Sequence, residues 1–230
     1  MKQLFIVFSV LLALLSAYNM SAQSLWDVSV GSSTQDRVSA NVAYRYQLND
    51  RFRIGLEAQY GAPRYRFVDA KPIREGFSTT FSVPLTYRLY EKDQIRLDFF
   101  ARTGLRVQGK IDPDQNDERD SILSANAVLF EPGLLVTIPA TEKVHFQGGI
   151  TFPMGFQVSP SSLFEFAHVP LIYAGLNVKT SDRRHVFLKA ATGAAFGGNG
   201  DTYKFSWSLQ AGMRFAFGRR TAAPLVEPTF

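Results

Sequence analysis

The chain contains no cysteine in 230 residues. That excludes disulfides, thiolate metal sites, cysteine nucleophiles and a lipid-modified cysteine anchor. Tryptophan is nearly absent too, with only Trp26 and Trp207. Past the N-terminus no apolar run is long enough for a membrane-spanning helix, so insertion into a bilayer has to be as a closed barrel. There is no clustered basic run either, which argues against a nucleic-acid arm, although 25 basic residues face 20 acidic ones.

What is present is apolar and aromatic. Hydrophobic residues make up 46% and charged residues 20%, a balance that excludes general disorder. Phenylalanine (20) and tyrosine (9) supply most of the aromatic content. The N-terminus has the layout of a secretory signal: Lys2, an apolar stretch Leu4 to Leu15 broken by Ser9, then Met20-Ser21-Ala22 before Gln23. The apolar stretch is too short to span a bilayer. The expected division is a cleaved signal peptide over 1–22, a barrel domain over 23–217 and a periplasmic tail over 218–230.

From there on, hydrophobicity alternates with period two, the signature of strands. The segment Tyr203 to Phe217 shows it most fully. Tyr203, Phe205, Trp207, Leu209, Ala211, Met213, Phe215 and Phe217 share one face. Lys204, Ser206, Ser208, Gln210, Gly212, Arg214 and Ala216 share the other. The same reading gives strands at Val38–Leu48, Phe52–Tyr60, Phe81–Leu89, Ile95–Gln108 and Val144–Phe152. Less regular strands are expected at Val128–Ile138, Val169–Val178 and His185–Phe196, with a short opening strand at Leu25–Gly31.

That makes ten strands, with eight as the alternative. The connections alternate: Asn49-Asp50, Glu91–Asp93, Pro139–Lys143 and Ser181–Arg184 are tight, whereas Ser32–Arg37, Ala62–Glu75, Gly109–Ser121, Met154–His168 and Gly197–Thr202 are longer. Short periplasmic turns and longer external loops are what an outer-membrane barrel has. The expected fold is therefore all-β, a transmembrane antiparallel up-and-down barrel. Two features favour it over a soluble ligand-binding barrel. Aromatics gather near strand ends on the apolar faces, and arginines share the polar faces with glycines, which suits a crowded interior.

The final strand carries Gln210-Ala211-Gly212-Met213-Arg214-Phe215-Ala216-Phe217. It resembles the C-terminal β-signal of outer-membrane proteins, which implies recognition by the barrel-assembly machinery through Gln210, Gly212, Phe215 and Phe217. The mature chain also resembles the small outer-membrane β-barrel family of Bacteroidetes, of porin-like or PorT-like type. The residues that carry this are the Ser21-Ala22-Gln23 junction and Phe81-Ser82-Val83-Pro84-Leu85-Thr86-Tyr87-Arg88-Leu89-Tyr90. The resemblance implies a fold and an outer-membrane location and transfers no catalytic residue.

On this topology the lumen holds Arg45, Arg53, Arg88, Arg96, Arg102, Arg106, Lys189, Lys204 and Arg214, with Asp27, Glu57, Asp98 and Glu131 as acidic partners. Buried charges need counterions, and a small barrel is nearly filled by its own side chains, so a salt-bridged plug is expected. The alternative is a narrow pore leaning towards anions. The acidic loop Asp112 to Asp120 lacks the glycine and closing glutamate of a calcium loop. His145, His168 and His185 make no metal spacing. A rim hydrolase built from His168 with Ser161, Ser162 and Glu165 is the remaining enzymatic alternative. The expectation is a non-enzymatic envelope component or scaffold without metal or cofactor. Its partners are outer-membrane lipid, lipopolysaccharide, the assembly machinery and another envelope complex.

Overall fold

The computed structural model describes residues 24–34, 36–63, 67–68, 71–72, 77–93, 95–108, 126–159, 166–168, 170–196 and 203–217. The expected signal peptide, the C-terminal tail, the acidic loop and Ser161, Ser162 and Glu165 lie outside the described residues. So does all but the strand placement of Lys204 and His168.

The strands are β1 (Ser24–Ser33), β2 (Asp36–Gln47), β3 (Phe52–Pro63), β4 (Phe67–Val68), β5 (Lys71–Pro72), β6 (Ser78–Lys92), β7 (Ile95–Gln108), β8 (Asn126–Pro139), β9 (Val144–Thr151), β10 (Met154–Ser159), β11 (Phe166–His168), β12 (Leu171–Ser181), β13 (Arg184–Phe196) and β14 (Tyr203–Phe217). Every pairing is antiparallel, and β14 closes onto β1, so the chain forms a closed ten-strand barrel. Closure satisfies the backbone donors and acceptors that a free sheet edge would leave unpaired. The small β4–β5 ladder is a separate hairpin inside the connection from β3 to β6.

Two of the ten staves are interrupted, each beside a proline. β9 and β10 keep one register against β8: Thr151 faces Gly133, and Met154 faces Phe130. Between them lie Phe152 and Pro153, and Pro153 has no N–H for the ladder. β11 and β12 are likewise one stave against β13, with His168 facing Phe196 and Leu171 facing Gly193. Pro170 lies in that gap. The segment read from sequence as a loop, Met154 to His168, therefore begins and ends as strand.

Local chemistry shapes the tight turns. The Asn49 side-chain oxygen accepts from the backbone N–H of Arg51 (2.9 Å) and Phe52 (2.8 Å), holding the β2–β3 hairpin. Thr141 Oγ1 does the same for Val144 N–H at 3.0 Å in the β8–β9 turn. Asp93 takes a left-handed conformation (φ 51°) in the β6–β7 turn, one that aspartate tolerates better than most residues.

The side-chain distribution is inverted relative to a soluble barrel. Among the described residues, buried polar and charged side chains outnumber buried apolar ones by more than two to one. Val28, Phe81, Leu105, Ile172, Leu188, Phe205, Leu209 and Met213 point outward and are exposed. An apolar exterior around a polar interior is the pattern of a barrel that spans a membrane. Aromatic pairs sit near both ends of the belt. Trp26 and Tyr44 have ring centroids 5.2 Å apart at the short-turn end, and Tyr60 stacks on Phe77 at the long-loop end.

Candidate functional site: the charged lumen

The inward faces bring together residues far apart in sequence. Glu57 on β3 is the hub. Arg45 Nη2 on β2 donates to Glu57 Oε2 at 2.8 Å, and Arg102 Nη1 on β7 donates to Glu57 Oε1 at 2.9 Å. Arg102 Nη2 also donates to Glu131 Oε2 on β8, its lateral neighbour in the ladder. One alternating chain of charge, Arg45–Glu57–Arg102–Glu131, thus reaches from β2 to β8. All four side chains are buried.

A second pair stands at the seam where the barrel closes. Arg214 on β14 and Asp27 on β1 are lateral partners, joined by two parallel hydrogen bonds of 2.6 Å. Such a bidentate fork is the strongest geometry available to an arginine and a carboxylate. Near the short-turn end Arg96 Nε donates to Asp98 Oδ1 at 2.7 Å, and Arg88 pairs with Glu91. At the opposite end Arg106 Nη2 lies 3.6 Å from Asp36 Oδ2, while Ser78 Oγ donates to Asp36 Oδ1 at 3.1 Å.

Apolar and amide side chains share the interior. Phe100, Leu135, Leu171, Tyr173 and Phe187 all point inward and are buried. Lys189 Nζ lies 4.8 Å from the centre of the Phe187 ring, and Arg102 lies over Phe100. His185 Nδ1 meets the Asn177 side-chain oxygen at 2.9 Å. Two glycines give room to these large groups. A Cβ on Gly55 would stand 2.8 Å from Arg45 Cδ, and one on Gly212 would stand 2.6 Å from Phe187 Cζ. Long side chains therefore lie over glycines on the next strand.

Of the residues expected in the lumen, Arg45, Arg53, Glu57, Arg96, Asp98, Arg102, Arg106, Glu131, Lys189 and Arg214 are buried on inward faces. Arg88 is only partly covered and holds to Glu91 at the mouth, because a register shift between Arg88 and Tyr90 turns the strand there. Of the expected assembly residues, Gln210 is buried in the lumen, Phe217 is exposed on the outer face, and Gly212 and Phe215 are intermediate.

Sequence reasoning missed Asp36, which fell in a presumed loop. A register shift between Asp36 and Val38 explains this. Strict alternation from Val38 would send Asp36 outward, whereas the bulge returns it to the lumen. The one available signal was that Arg106, deep in an inward-facing row, required a carboxylate. Among the described residues the buried charged groups are seven cations (Arg45, Arg53, Arg96, Arg102, Arg106, Lys189, Arg214) and five carboxylates (Asp27, Asp36, Glu57, Asp98, Glu131). No group of three or more histidine, aspartate or glutamate side chains that could hold a metal exists among the described residues.

No protein-family model matches the chain, and no curated protein matches it either. Solved structures do. The translocator domain of the autotransporter NalP from Neisseria meningitidis is 11% identical, with 94% of this chain and 95% of that one covered and a TM-score of 0.47. A major outer membrane protein from Thermus thermophilus is 12% identical over 86% of this chain and all of that one, at a TM-score of 0.41. The outer membrane protease OmpT from Escherichia coli is 9% identical over 85% and 96% of the two chains, at 0.38.

Proposed function

We propose that the chain is an integral outer-membrane β-barrel without enzymatic activity, exported by its N-terminal signal, whose lumen is closed by its own side chains. The observation that carries this is the buried chain Arg45–Glu57–Arg102–Glu131, which links the inward faces of the wall from β2 to β8. Charges removed from water are held only while each keeps its partner, so parting this chain to admit solute costs several kcal/mol. Such a barrel acts as an envelope component or scaffold. Its outer face meets lipid and lipopolysaccharide, and its rim meets another envelope complex. Gln210, Gly212, Phe215 and Phe217 would present the last strand to the assembly machinery.

Planar-bilayer recording tests the closed lumen. Purified barrel should insert without steady single-channel current, and stable, uniform openings would overturn the reading. Fractionation tests the compartment: the protein should sediment with outer membranes and migrate differently on gels before and after heating. A second reading, a small anion-leaning pore, draws on the excess, among the described residues, of seven buried cations over five carboxylates. It requires open-channel currents whose reversal potential in a salt gradient favours chloride.

A further inference from the structure

Three prolines interrupt neighbouring staves of the wall at one level. The register places Pro132 opposite Phe152, Phe152 opposite Pro170, and Pro170 opposite Ala194. Phe152 N–H donates to the Pro132 carbonyl at 2.9 Å, and Ala194 N–H donates to the Pro170 carbonyl at 3.4 Å. On a strand the N–H and C=O of one residue point to the same neighbour, and those of the next residue point to the other. Pro132 therefore withholds a donor from the seam between β8 and the β9/β10 stave. Pro153 withholds one from the seam between the β9/β10 and β11/β12 staves, and Pro170 withholds one from the seam with β13.

The third of these seams is held most lightly. On the short-turn side of the row, β12 pairs with β13 from Leu171–Gly193 to Lys179–His185 without a break. On the long-loop side, β11 meets β13 through one pair, His168 with Phe196. The bond at the row itself, 3.4 Å, is longer than the usual range. Gly193 lets the strands approach there, because a Cβ on it would stand 1.9 Å from the Pro170 carbonyl oxygen. Elsewhere the wall is bridged by buried ion pairs: Arg45–Glu57 across β2–β3, Arg102–Glu131 across β7–β8 and Arg214–Asp27 across β14–β1. The buried side chains beside Pro170 and Ala194 are Leu171, Tyr173 and Ala191, so parting the strands at that level separates no ion from its partner.

We propose that the long-loop end of the seam between β11/β12 and β13 is a lateral gate. The paired strands β10 and β11 bend outward at the proline row and part from β13, opening the wall sideways to the bilayer beside Leu171. The three missing donors make the row the hinge, and the single pair His168–Phe196 with the long Ala194–Pro170 bond is the latch. The gate follows from register and prolines, and it stands whether or not the barrel conducts along its axis.

Residue-resolved amide exchange, read by NMR on the full barrel in lipid nanodiscs, tests the gate. Ala194 turns its N–H to the latch, whereas Gly193 and Ala195, at nearly the same depth, turn theirs to β14. Ala194 should exchange at least about tenfold faster than both. Pro170→Ala supplies the missing donor opposite Ala194 and should slow that exchange about threefold or more. Gly193→Ala pushes Pro170 off β13 and should speed it. The chain has no cysteine, so an introduced thiol reports the opening itself. Leu171→Cys, buried beside the latch, should react with N-ethylmaleimide, and adding Pro170→Ala should slow the reaction. Ala43→Cys, equally buried on β2, should stay unreactive. Heat-modifiable migration checks folding, and if Gly193→Ala does not fold, wild type and Pro170→Ala decide. Equal exchange at Ala194 and its two neighbours, exchange and labelling indifferent to Pro170→Ala, or Ala43→Cys labelled as fast as Leu171→Cys would overturn the proposal.

Discussion

Asp27 and Arg214, 187 positions apart in sequence, are joined by two 2.6 Å hydrogen bonds across the seam between the first and last strands. The pair lies inside the wall, with the arginine fully buried. It forms only when the barrel closes, so its energy enters at closure rather than during hairpin formation.

Asp27→Asn should therefore destabilise the barrel by about 3–5 kcal/mol, because Arg214 stays buried without its counterion. Urea unfolding in lipid vesicles, followed by tryptophan fluorescence, reads the loss. The double variant Asp27→Leu with Arg214→Met should recover most of it, since an apolar pair of similar volume carries no desolvation cost. Wild-type urea resistance in Asp27→Asn would show that the seam pair contributes nothing.

Glu57 accepts from two arginines, so its removal takes a carboxylate from both. Glu57→Ala should lower stability by a similar amount, about 3–5 kcal/mol. It should also produce brief, noisy currents preferring anions, because Arg45 and Arg102 then repel each other and draw in water and chloride. A silent Glu57→Ala barrel of unchanged stability would remove Glu57 from the plug.

The direction in which the apolar face points has its own test. Leu209 is exposed on the outer face of β14, between the buried residues Ser208 and Gln210. If lipid covers that face, Leu209→Arg should cost about 2–4 kcal/mol near the bilayer midplane, and Leu209→Phe should be close to neutral. A soluble barrel would tolerate the arginine and remain dispersed without detergent.

Packing and machine recognition on the last strand can be separated. A Cβ on Gly212 would meet Phe187 Cζ and Ser29 Cβ, both at 2.6 Å. Gly212→Ala should therefore slow folding even into pure lipid vesicles that contain no assembly machinery. Phe217 is exposed and meets no such constraint. Phe217→Ala should fold normally in vesicles and show its defect only as reduced assembly in cells.

Acid should do little at the β12–β13 turn. A hydrogen bond from Lys179, and then its charge, hold the Asp182 carboxyl below the usual carboxylate range. The pair's Nζ–Oδ1 distance is 2.7 Å. A depressed folded value means a contribution present above the unfolded pKa and lost as pH falls through the folded one. Asp182 is fully exposed, so solvent and salt screen that contribution. NMR titration should find its midpoint below that of an unfolded peptide, while Asp182→Asn leaves thermal unfolding unchanged at physiological salt.

Much of this architecture is legible in the chain. Period-two alternation over Tyr203–Phe217 and Ile95–Gln108 fixes both the strands and the division of their faces, since side-chain direction on a strand is a local property. Tight and long connections alternate in the sequence because each stave must return to the opposite rim. Apart from Asp36, the buried arginines and carboxylates among the described residues could be named from their parity.

Other features were decided by neighbours. Asp36 turns inward because a bulge shifts parity before Val38, and bulges arise from pairing two strands rather than from one strand's composition. β10 and β11 exist because β8 and β13 extend far enough to pair beyond Pro153 and Pro170. Which arginine meets which carboxylate, as in Asp27 with Arg214 or Glu57 with both Arg45 and Arg102, depends on the register set by closure. The amino-acid sequence by itself determined the strands and the chemistry of each face. Only the closed barrel decided the pairings, because a salt bridge is a distance between side chains, and no periodicity along one chain contains it.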